Sequence, residues 1–129
     1  MKSLISITIL FVTVLTGCGG SSPDALPPEI STEEAFQLYE NGTFFLDVRT
    51  QEEWDAFHAP NSTLIPLDQL SDRIGELPKD EFIVVVCRSG NRSASGRDIL
   101  LKAGFSQVTS MAGGLTEWTS RGYPTTSTP

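Results

Sequence analysis

Short apolar runs alternate with longer amphipathic segments along this chain of 129 residues. The run at residues 82–86 is apolar throughout and rich in Val and Ile, which is typical of a strand buried on both faces of a parallel sheet. It predicts a strand over residues 82–87, and weaker runs predict strands near residues 44–48, 64–66 and 107–110. Because helical patterns lie between these strands, the sequence predicts an α/β fold with a mainly parallel central sheet.

Four segments carry the signals of helices that would flank this sheet. Ser31 and Thr50 are each followed three residues later by Glu, a capping-box pattern that predicts a helix beginning after each of them. Residues 93–103 predict a third helix, with Gly104 as its stop. Helical spacing also predicts a fourth helix that would end at Gly75, on the positions Leu67, Leu70 and Ile74.

The loop between the strand at 82–87 and the third helix concentrates residues suited to hold an anion. It consists of Cys87, Arg88, Ser89, Gly90, Asn91, Arg92 and Ser93. Backbone N–H groups at the beginning of a helix lack intrahelical partners, and the helix dipole adds partial positive charge. Gly90 allows the tight curl that brings these N–H groups together, and Arg88 and Arg92 add two permanent cations. The sequence therefore predicts an anion cradle at the carboxyl edge of the sheet, where α/β folds bind ligands.

Cys87 lies at the rim of this predicted cradle. A helix N-terminus and neighbouring arginines can lower the pKa of a cysteine from about 8.5 into a range of roughly 3.5–7.5, which gives a thiolate at neutral pH. A thiolate is the nucleophile that covalent sulfur or acyl chemistry requires. The alternative is an ordinary buried cysteine that closes a strand. One Cys, one Gly and two Arg within six residues favour the functional interpretation.

Several motifs together resemble those of the single-domain rhodaneses, a family of sulfurtransferases. The loop over residues 87–93 resembles the active-site loop of that family. The other matching segments are Leu46-Asp47-Val48-Arg49, Glu52-Glu53-Trp54, His58-Ala59-Pro60-Asn61-Ser62, Leu64-Ile65-Pro66-Leu67, Gly104-Phe105, Val108, Gly113-Gly114 and Trp118. The resemblance covers residues 28–124 and implies a three-layer fold, in which helices flank a central, mainly parallel sheet.

This resemblance implies a thiosulfate-type sulfurtransferase, since Arg88 directly after Cys87 resembles the loops of that type. The Cys87 thiolate would take the outer sulfur of an anionic donor such as thiosulfate, release sulfite and become a persulfide. An acceptor such as cyanide or a thiol would then remove the sulfur. Asp47 and Arg49 are expected to support neighbouring backbone and side chains. No metal or other cofactor is expected, and the substrate-binding residues would be Arg88, Ser89, Gly90, Asn91, Arg92 and Ser93.

Two other functions stay open at the level of sequence. Rhodanese folds also serve as persulfide carriers, sensors or protein-binding modules, and a fold by itself does not decide among them. Related phosphatases and arsenate reductases form the second alternative. In those enzymes the Arg lies six positions after the Cys, whereas Arg92 lies five positions after Cys87. The shorter loop favours the sulfur-handling branch of the fold.

The N-terminal segment predicts export. Lys2 and the apolar run at residues 4–15 resemble a secretory signal, and the run is shorter than the roughly 20 residues that span a membrane. The sequence Leu-Thr-Gly-Cys at residues 15–18 resembles the bacterial lipobox, in which the Cys is lipidated and begins the mature chain. A plain signal peptide with an incidental cysteine is the alternative. The expected divisions are a signal peptide at 1–17, lipidated Cys18 with a flexible tether at 18–28, a domain at 29–124 and a flexible tail at 125–129.

Charge narrows the choice of partners. Without the signal peptide, eight basic residues face sixteen acidic ones, a net charge of −8. This charge disfavours nucleic acid and anionic lipid surfaces as electrostatic partners. We therefore expect membrane contact through the lipid on Cys18, in the periplasm or on the surface of a bacterium. The remaining expected partners are a small anionic sulfur donor, a thiophilic acceptor and an exported protein that accepts sulfur.

Overall fold

The computed structural model describes Gly17 and residues 26–129, and these residues form a five-stranded sheet with helices on both faces. The strands are β1 (Glu29–Ile30), β2 (Phe44–Asp47), β3 (Thr63–Leu64), β4 (Ile83–Val86) and β5 (Val108–Met111). They lie in the order β1-β5-β4-β2-β3, and every neighbouring pair is parallel. The predicted α/β class with a mainly parallel central sheet is confirmed.

The helices are α1 (Thr32–Glu40), α2 (Gln51–Ala56), α3 (Asn91–Lys102) and α4 (Gly114–Ser120) in the described part of the chain. Both predicted capping boxes form, so α1 begins after Ser31 and α2 begins after Thr50. The third predicted helix is α3, which begins two residues earlier than its apolar pattern suggests. The short helix α4 carries too few periodic positions for the sequence pattern to predict it.

Strand β4 is the centre of the fold because both of its faces are covered. Ile83 and Val85 point to one side, Val84 and Val86 point to the other, and all four are 0% exposed. The first pair packs in a cluster with Leu100 of α3, and the second pair packs with residues of α1 and α4, among them Trp118. The residue that follows β4 is therefore held between two packed layers.

The prediction of a fourth helix, ending at Gly75, is wrong. The segment instead forms two short 3₁₀ turns at Leu67–Gln69 and Ile74–Glu76, and neither has a side-chain cap. Arg73, between the two turns, has φ −114° and ψ 11°, which is not helical. Two 3₁₀ turns in succession can bury the same apolar positions as one α-helix, and Leu70 is indeed 0% exposed. Apolar spacing alone therefore did not distinguish the two structures.

The C-terminal residues are paired with the domain, although the sequence predicts a flexible tail at 125–129. Thr126 and His58 form an antiparallel bridge with N–O distances of 2.8 and 2.9 Å. The backbone N–H of Thr128 donates to the Asp55 carbonyl at 3.1 Å. Both partners lie at the end of α2 or directly after it, so the tail covers this part of the domain.

The end of the expected flexible tether is also bound to the domain. Thr109 Oγ1 donates to the Pro27 carbonyl at 2.6 Å, and Arg97 donates to the Pro28 carbonyl at 2.8 Å. Residues 29–30 then form β1 at the edge of the sheet, a strand that the sequence pattern does not predict. Pro27 and Pro28, at the end of the expected tether, are therefore bound to the domain.

The predicted signal peptide, apart from Gly17, and the predicted lipidation site Cys18 lie outside the described residues. Over Gly17 and residues 26–129, no helix combines the length and the apolar character that crossing a membrane requires.

Candidate active site

Cys87 directly follows β4 and lies at the carboxyl edge of the sheet, in its centre. The chain turns back at Gly90, whose φ of +112° lies in the left-handed region that favours glycine. Helix α3 begins at the next residue, Asn91. Residues 88–90 therefore curl between the strand end and the helix N-terminus, as the sequence predicts.

The sulfur of Cys87 is enclosed by this loop. The residue is 1% exposed. The backbone N–H of Gly90 donates to Sγ at 3.1 Å, and Ser93 Oγ lies 3.5 Å from Sγ. The loop therefore surrounds one sulfur atom with polar hydrogen-bonding groups in a site shielded from water.

Burial and hydrogen bonding act in opposite directions on the pKa of Cys87. Burial has the largest single effect and raises this pKa, because removal from water disfavours the charged thiolate. A hydrogen bond between Sγ and the Ser93 side chain, and hydrogen bonds from the backbone N–H groups of Ser93, Gly90 and Ser89, lower it. Together these hydrogen bonds outweigh burial, so the pKa of Cys87 lies below its ordinary value and more of it is thiolate at a given pH than of an ordinary cysteine.

The N-terminus of α4 holds the loop from outside. The backbone N–H of Leu115 donates to the Cys87 carbonyl at 2.8 Å, and that of Thr116 donates to the Arg88 carbonyl at 3.1 Å. These donors belong to the first turn of a helix and have no intrahelical partner. In a trans peptide the C=O and the following N–H point in opposite directions. With the two carbonyls directed at α4, the N–H groups of Arg88 and Ser89 are directed away from α4 and into the loop.

This contact requires glycine at the beginning of α4. Gly114 has φ +59°, a left-handed conformation that other residues rarely adopt. A Cβ atom at Gly114 would overlap the Arg88 carbonyl group and the Ser89 nitrogen. Glycine therefore allows α4 to approach the loop backbone closely enough to donate to it.

Arg92 is directed at a protein carboxylate. Its Nη1 and Nη2 atoms lie 2.7 and 2.8 Å from the two carboxylate oxygens of Glu53, a bidentate ion pair. The pKa of Glu53 is lowered to about 2, chiefly by this hydrogen bonding to Arg92. From the sequence, Arg92 is expected to offer its fork of donors to a substrate oxyanion. In the structure that fork is occupied, and it ties the first turn of α3 to α2.

Arg88 has no such partner. Within residues 26–129, Arg49, Arg73, Arg92, Arg97 and Arg121 form ion pairs with carboxylates, and Arg88 is the one arginine that forms none. Its exposed side chain lines a recess of about 250 Å³ beside the loop. Arg88 is therefore the cation of the loop that is available to a bound anion.

Asp47 and Arg49 form a buried ion pair beneath the site. The two side chains are 0% and 2% exposed, and their closest N–O distance is 2.7 Å. Arg49 also donates to the backbone carbonyls of Glu53, at 3.3 Å, and Phe57, at 2.7 Å. The pair thereby joins the end of β2 to α2, which is the supporting geometry expected of these two residues from the sequence.

The other predicted loop residues occupy different environments. Ser89 and Asn91 are exposed at the rim, whereas Ser93 is buried and its Oγ donates to the Gly90 carbonyl at 2.8 Å. Residue 90, not a serine or asparagine, is the N-cap of α3, and no side chain caps this helix. No side chain therefore competes for the backbone N–H groups at the beginning of α3, and these groups are available to the Cys87 sulfur. In the described residues, no three His, Cys, Asp or Glu side chains come together as metal ligands.

Three contributors to the site were not predicted from the sequence. Glu53 is identified there as a capping residue of α2, and its pairing with Arg92, 39 positions away, is not predicted. Gly114 belongs to the motif that resembles the family, but its contact with the loop is not predicted. Thr116 carries no pattern that would connect it with Cys87. A glycine pair at the beginning of a short helix is the one signal that suggests a close backbone approach.

We predict that Gly114→Ala destabilises the protein by at least about 2 kcal/mol, because it combines a left-handed backbone with overlap against the loop. Urea denaturation measures this loss. Gly122→Ala is the matched control, since Gly122 has φ +73° but no atoms within 4 Å of the position that the added methyl group would occupy. The control should lose only the conformational part, about 1 kcal/mol. Equal losses in the two variants would contradict the close approach of α4.

Comparison with known proteins agrees with this geometry. The Rhodanese-like domain family matches residues 31–121. The thiosulfate sulfurtransferase GlpE of Pseudomonas syringae pv. syringae is 37% identical over 95 residues, which cover 74% of this chain and 89% of that protein. A proposed sulfur carrier protein of Bacillus subtilis, YrkF, is 34% identical over 96 residues, which cover 73% of this chain but only 52% of that protein.

A solved structure shows the same fold. The crystal structure of a rhodanese-related protein from Thermoplasma volcanium has a TM-score of 0.69 and 32% sequence identity to this chain. The match covers 78% of this chain and 98% of that protein. The family match spans most of the described residues and includes the whole loop around Cys87. The chain therefore belongs to the family of rhodanese-like domains.

Proposed function

We propose that this protein is a sulfurtransferase that moves a sulfane sulfur from an anionic, thiosulfate-like donor to a thiophilic acceptor through a persulfide on Cys87. The observation that carries the proposal is the enclosed Cys87 sulfur, whose pKa is lowered by hydrogen bonds from the loop. The name of the Pseudomonas syringae relative, a thiosulfate sulfurtransferase, supports the same choice of donor.

In the first step, the Cys87 thiolate attacks the outer sulfur of thiosulfate. A new S–S bond forms, the S–S bond of thiosulfate breaks, and its electron pair leaves with sulfite. The persulfide that remains carries negative charge on its terminal sulfur. Backbone N–H groups directed into the loop stabilise this charge as the donors of an oxyanion hole stabilise oxygen. Arg88 is suited to attract the dianionic donor, because the Arg88 side chain is exposed and forms no ion pair within residues 26–129.

In the second step, an acceptor attacks the terminal sulfur of the persulfide. The Cys87–sulfur bond breaks and its electron pair returns to Cys87 as thiolate. The loop stabilises this leaving group by the same hydrogen bonds that lower the pKa of Cys87. One set of donors therefore serves both half-reactions, and the two steps together predict ping-pong kinetics.

Sulfur carriage without turnover is the second candidate function, and the name of the Bacillus subtilis relative favours it. A carrier and an enzyme would load Cys87 in the same way but differ in discharge. Sulfite measured over time separates them, because a carrier releases one equivalent in a burst, whereas an enzyme continues when cyanide is present.

We predict that incubation with thiosulfate adds the mass of one sulfur atom to the intact protein and releases sulfite, and that Cys87→Ser abolishes both. Serine keeps the size of the side chain but lacks the thiolate nucleophile. Intact-mass spectrometry and a sulfite assay, each with and without cyanide, provide the two readouts. A Cys87→Ser variant that still turned over would contradict the assignment of Cys87 as nucleophile.

We further propose that the protein is exported and anchored to a bacterial membrane by lipid on Cys18. The short apolar run at residues 4–15 and the lipobox-like residues 15–18 support this location. Stable anchoring requires more than one acyl chain, as a lipidated N-terminal cysteine would supply.

We expect the wild-type protein to partition with membranes in a bacterial host that processes lipoproteins, and Cys18→Ala to lose this attachment. Fractionation followed by immunoblotting measures the distribution, and incorporation of a labelled fatty acid reports the lipid directly. A Cys18→Ala variant that kept both its label and its membrane fraction would contradict the proposal.

A further inference from the structure

The Glu53 carboxylate serves two structures at once. It accepts hydrogen bonds from the backbone N–H and the hydroxyl of Thr50, at 3.0 and 3.2 Å, in the capping box of α2. Its two oxygens also lie 2.7 and 2.8 Å from Nη1 and Nη2 of Arg92. The capping box of α1 has the same hydrogen bonds to Glu34, which forms no ion pair within residues 26–129. Capping therefore does not account for the pairing of Glu53 with Arg92.

Arg92 lies close enough to Cys87 for their charges to interact. It occupies the first turn of α3, five positions after Cys87. The pKa of Arg92 is raised, chiefly by the hydrogen bonds to Glu53 and also by attraction to the negative charges of Cys87 and Asp47. This attraction is mutual, so the guanidinium favours negative charge on the Cys87 sulfur. The carboxylate of Glu53 opposes this effect, because the fields of two opposite charges held close together largely cancel at a distance.

Two other ion pairs next to the loop are each compensated internally. Asp47 and Arg49 at the end of β2 are buried and bind each other at 2.7 Å. On α4, Glu117 binds Arg121 at 2.8 Å. These pairs therefore add little net charge to the surroundings of Cys87.

The remaining charged groups are exposed. Arg88 in the loop forms no ion pair within residues 26–129. Asp68, on the segment after β3, lines a recess together with Arg92 and is screened by water. Removal of the Glu53 charge would therefore give the loop a second uncompensated guanidinium in addition to that of Arg88.

A second uncompensated guanidinium would affect two parts of sulfur transfer. The nucleophilicity of a thiolate falls as the pKa of its thiol falls, so a more positive loop would make Cys87 a weaker nucleophile. At alkaline pH the sulfite product is a dianion like the donor, and a more positive loop would retain it. A site that binds one dianion and releases another is therefore served by a limited positive charge.

We propose that Glu53 is a positioning residue that limits the positive charge of the loop by holding and neutralising Arg92. Its carboxylate keeps the Cys87 thiolate reactive and allows sulfite to leave. This inference rests on the proposed sulfurtransferase function.

The test compares variants by the pH dependence of Cys87 alkylation with iodoacetamide, whose approach is independent of the charge of the loop because it is uncharged. Glu53→Gln keeps the size of the side chain and an oxygen for the capping box but removes the charge. Arg92→Gln leaves the Glu53 carboxylate uncompensated. Glu53→Asp keeps the charge on a shorter side chain.

We expect Glu53→Gln to lower the midpoint of alkylation by about 0.5 pH unit and Arg92→Gln to raise it by about the same amount, as for partly exposed charges. Glu53→Asp should keep the wild-type midpoint even where it lowers stability. A purely structural role would move all three variants in one direction, because each weakens the connection between α2 and α3. Movement in one direction, or no movement, would overturn the proposal.

The matched controls are Glu76→Gln and Arg73→Gln. These residues form a second bidentate pair, with N–O distances of 2.7 and 3.0 Å, and neither is hydrogen-bonded to residues 87–93. Both controls should keep the wild-type midpoint. A shift in the controls equal to that in Glu53→Gln would show a general effect of net charge and would contradict the role of Glu53.

Inhibition by sulfate tests the effect on dianions. Sulfate has the charge of thiosulfate but no sulfane sulfur to transfer. We expect sulfate to compete with thiosulfate about tenfold more strongly in Glu53→Gln than in the wild-type protein, because a dianion interacts with the guanidinium twice as strongly as a thiolate does. The KM for thiosulfate and kcat should fall together, since sulfite is retained.

Unchanged inhibition by sulfate in Glu53→Gln would overturn the role of Glu53. Normal loading and turnover of the wild-type protein alongside that result would leave the sulfurtransferase function intact. Failure of the wild-type protein to load sulfur from thiosulfate would overturn both proposals.

Discussion

The structure depends on one electrostatic constraint, which is that a sulfur atom shielded from water must be able to carry negative charge. Burial alone would keep Cys87 as a neutral thiol. The loop meets this constraint with hydrogen bonds from Gly90, Ser89 and Ser93, most of them from the backbone. Backbone donors are fixed by the fold and need no reorganisation when charge develops, which is why such sites are effective in catalysis.

Two helices keep these donors in place. The N-terminus of α3 contributes N–H groups to the inside of the loop, and the N-terminus of α4 binds two carbonyls on its outside. Strand β4 supplies the rigid base, because its four residues are buried on both faces. This arrangement requires glycines with left-handed backbone at positions 90 and 114. Gly90 allows the turn of the loop, and Gly114 allows the close approach of α4 that a side chain would prevent.

The two arginines of the loop have separate roles in this account. Arg92 pairs with Glu53 and connects the loop helix α3 to α2, a structural function that leaves its guanidinium neutralised. Arg88 remains exposed and available for an anion at the rim. In a protein of negative net charge, such an uncompensated cation makes the rim of the loop locally favourable for a small anion.

The features that the sequence predicted correctly are those that depend on residues close together in the chain. The apolar run of β4, the capping boxes at Ser31 and Thr50 and the turn at Gly90 are local, and each was correctly predicted. The pairs Glu53–Arg92 and His58–Thr126 join residues far apart in the chain, so no local pattern contains them. The helix predicted after Pro66 was wrong for a different reason. Apolar spacing does not distinguish one α-helix from two 3₁₀ turns.

The central claim is that hydrogen bonds from the loop lower the pKa of Cys87 despite its burial, and the most direct test is the rate of Cys87 alkylation by iodoacetamide as a function of pH. The rate rises as the thiol loses its proton, so its midpoint reports the pKa. The account predicts a midpoint below the ordinary value of about 8.5 in the wild-type protein, and a higher midpoint in Ser93→Ala, which removes the side-chain hydrogen-bond partner of Cys87. A wild-type midpoint at or above the ordinary value, unchanged in Ser93→Ala, would contradict it.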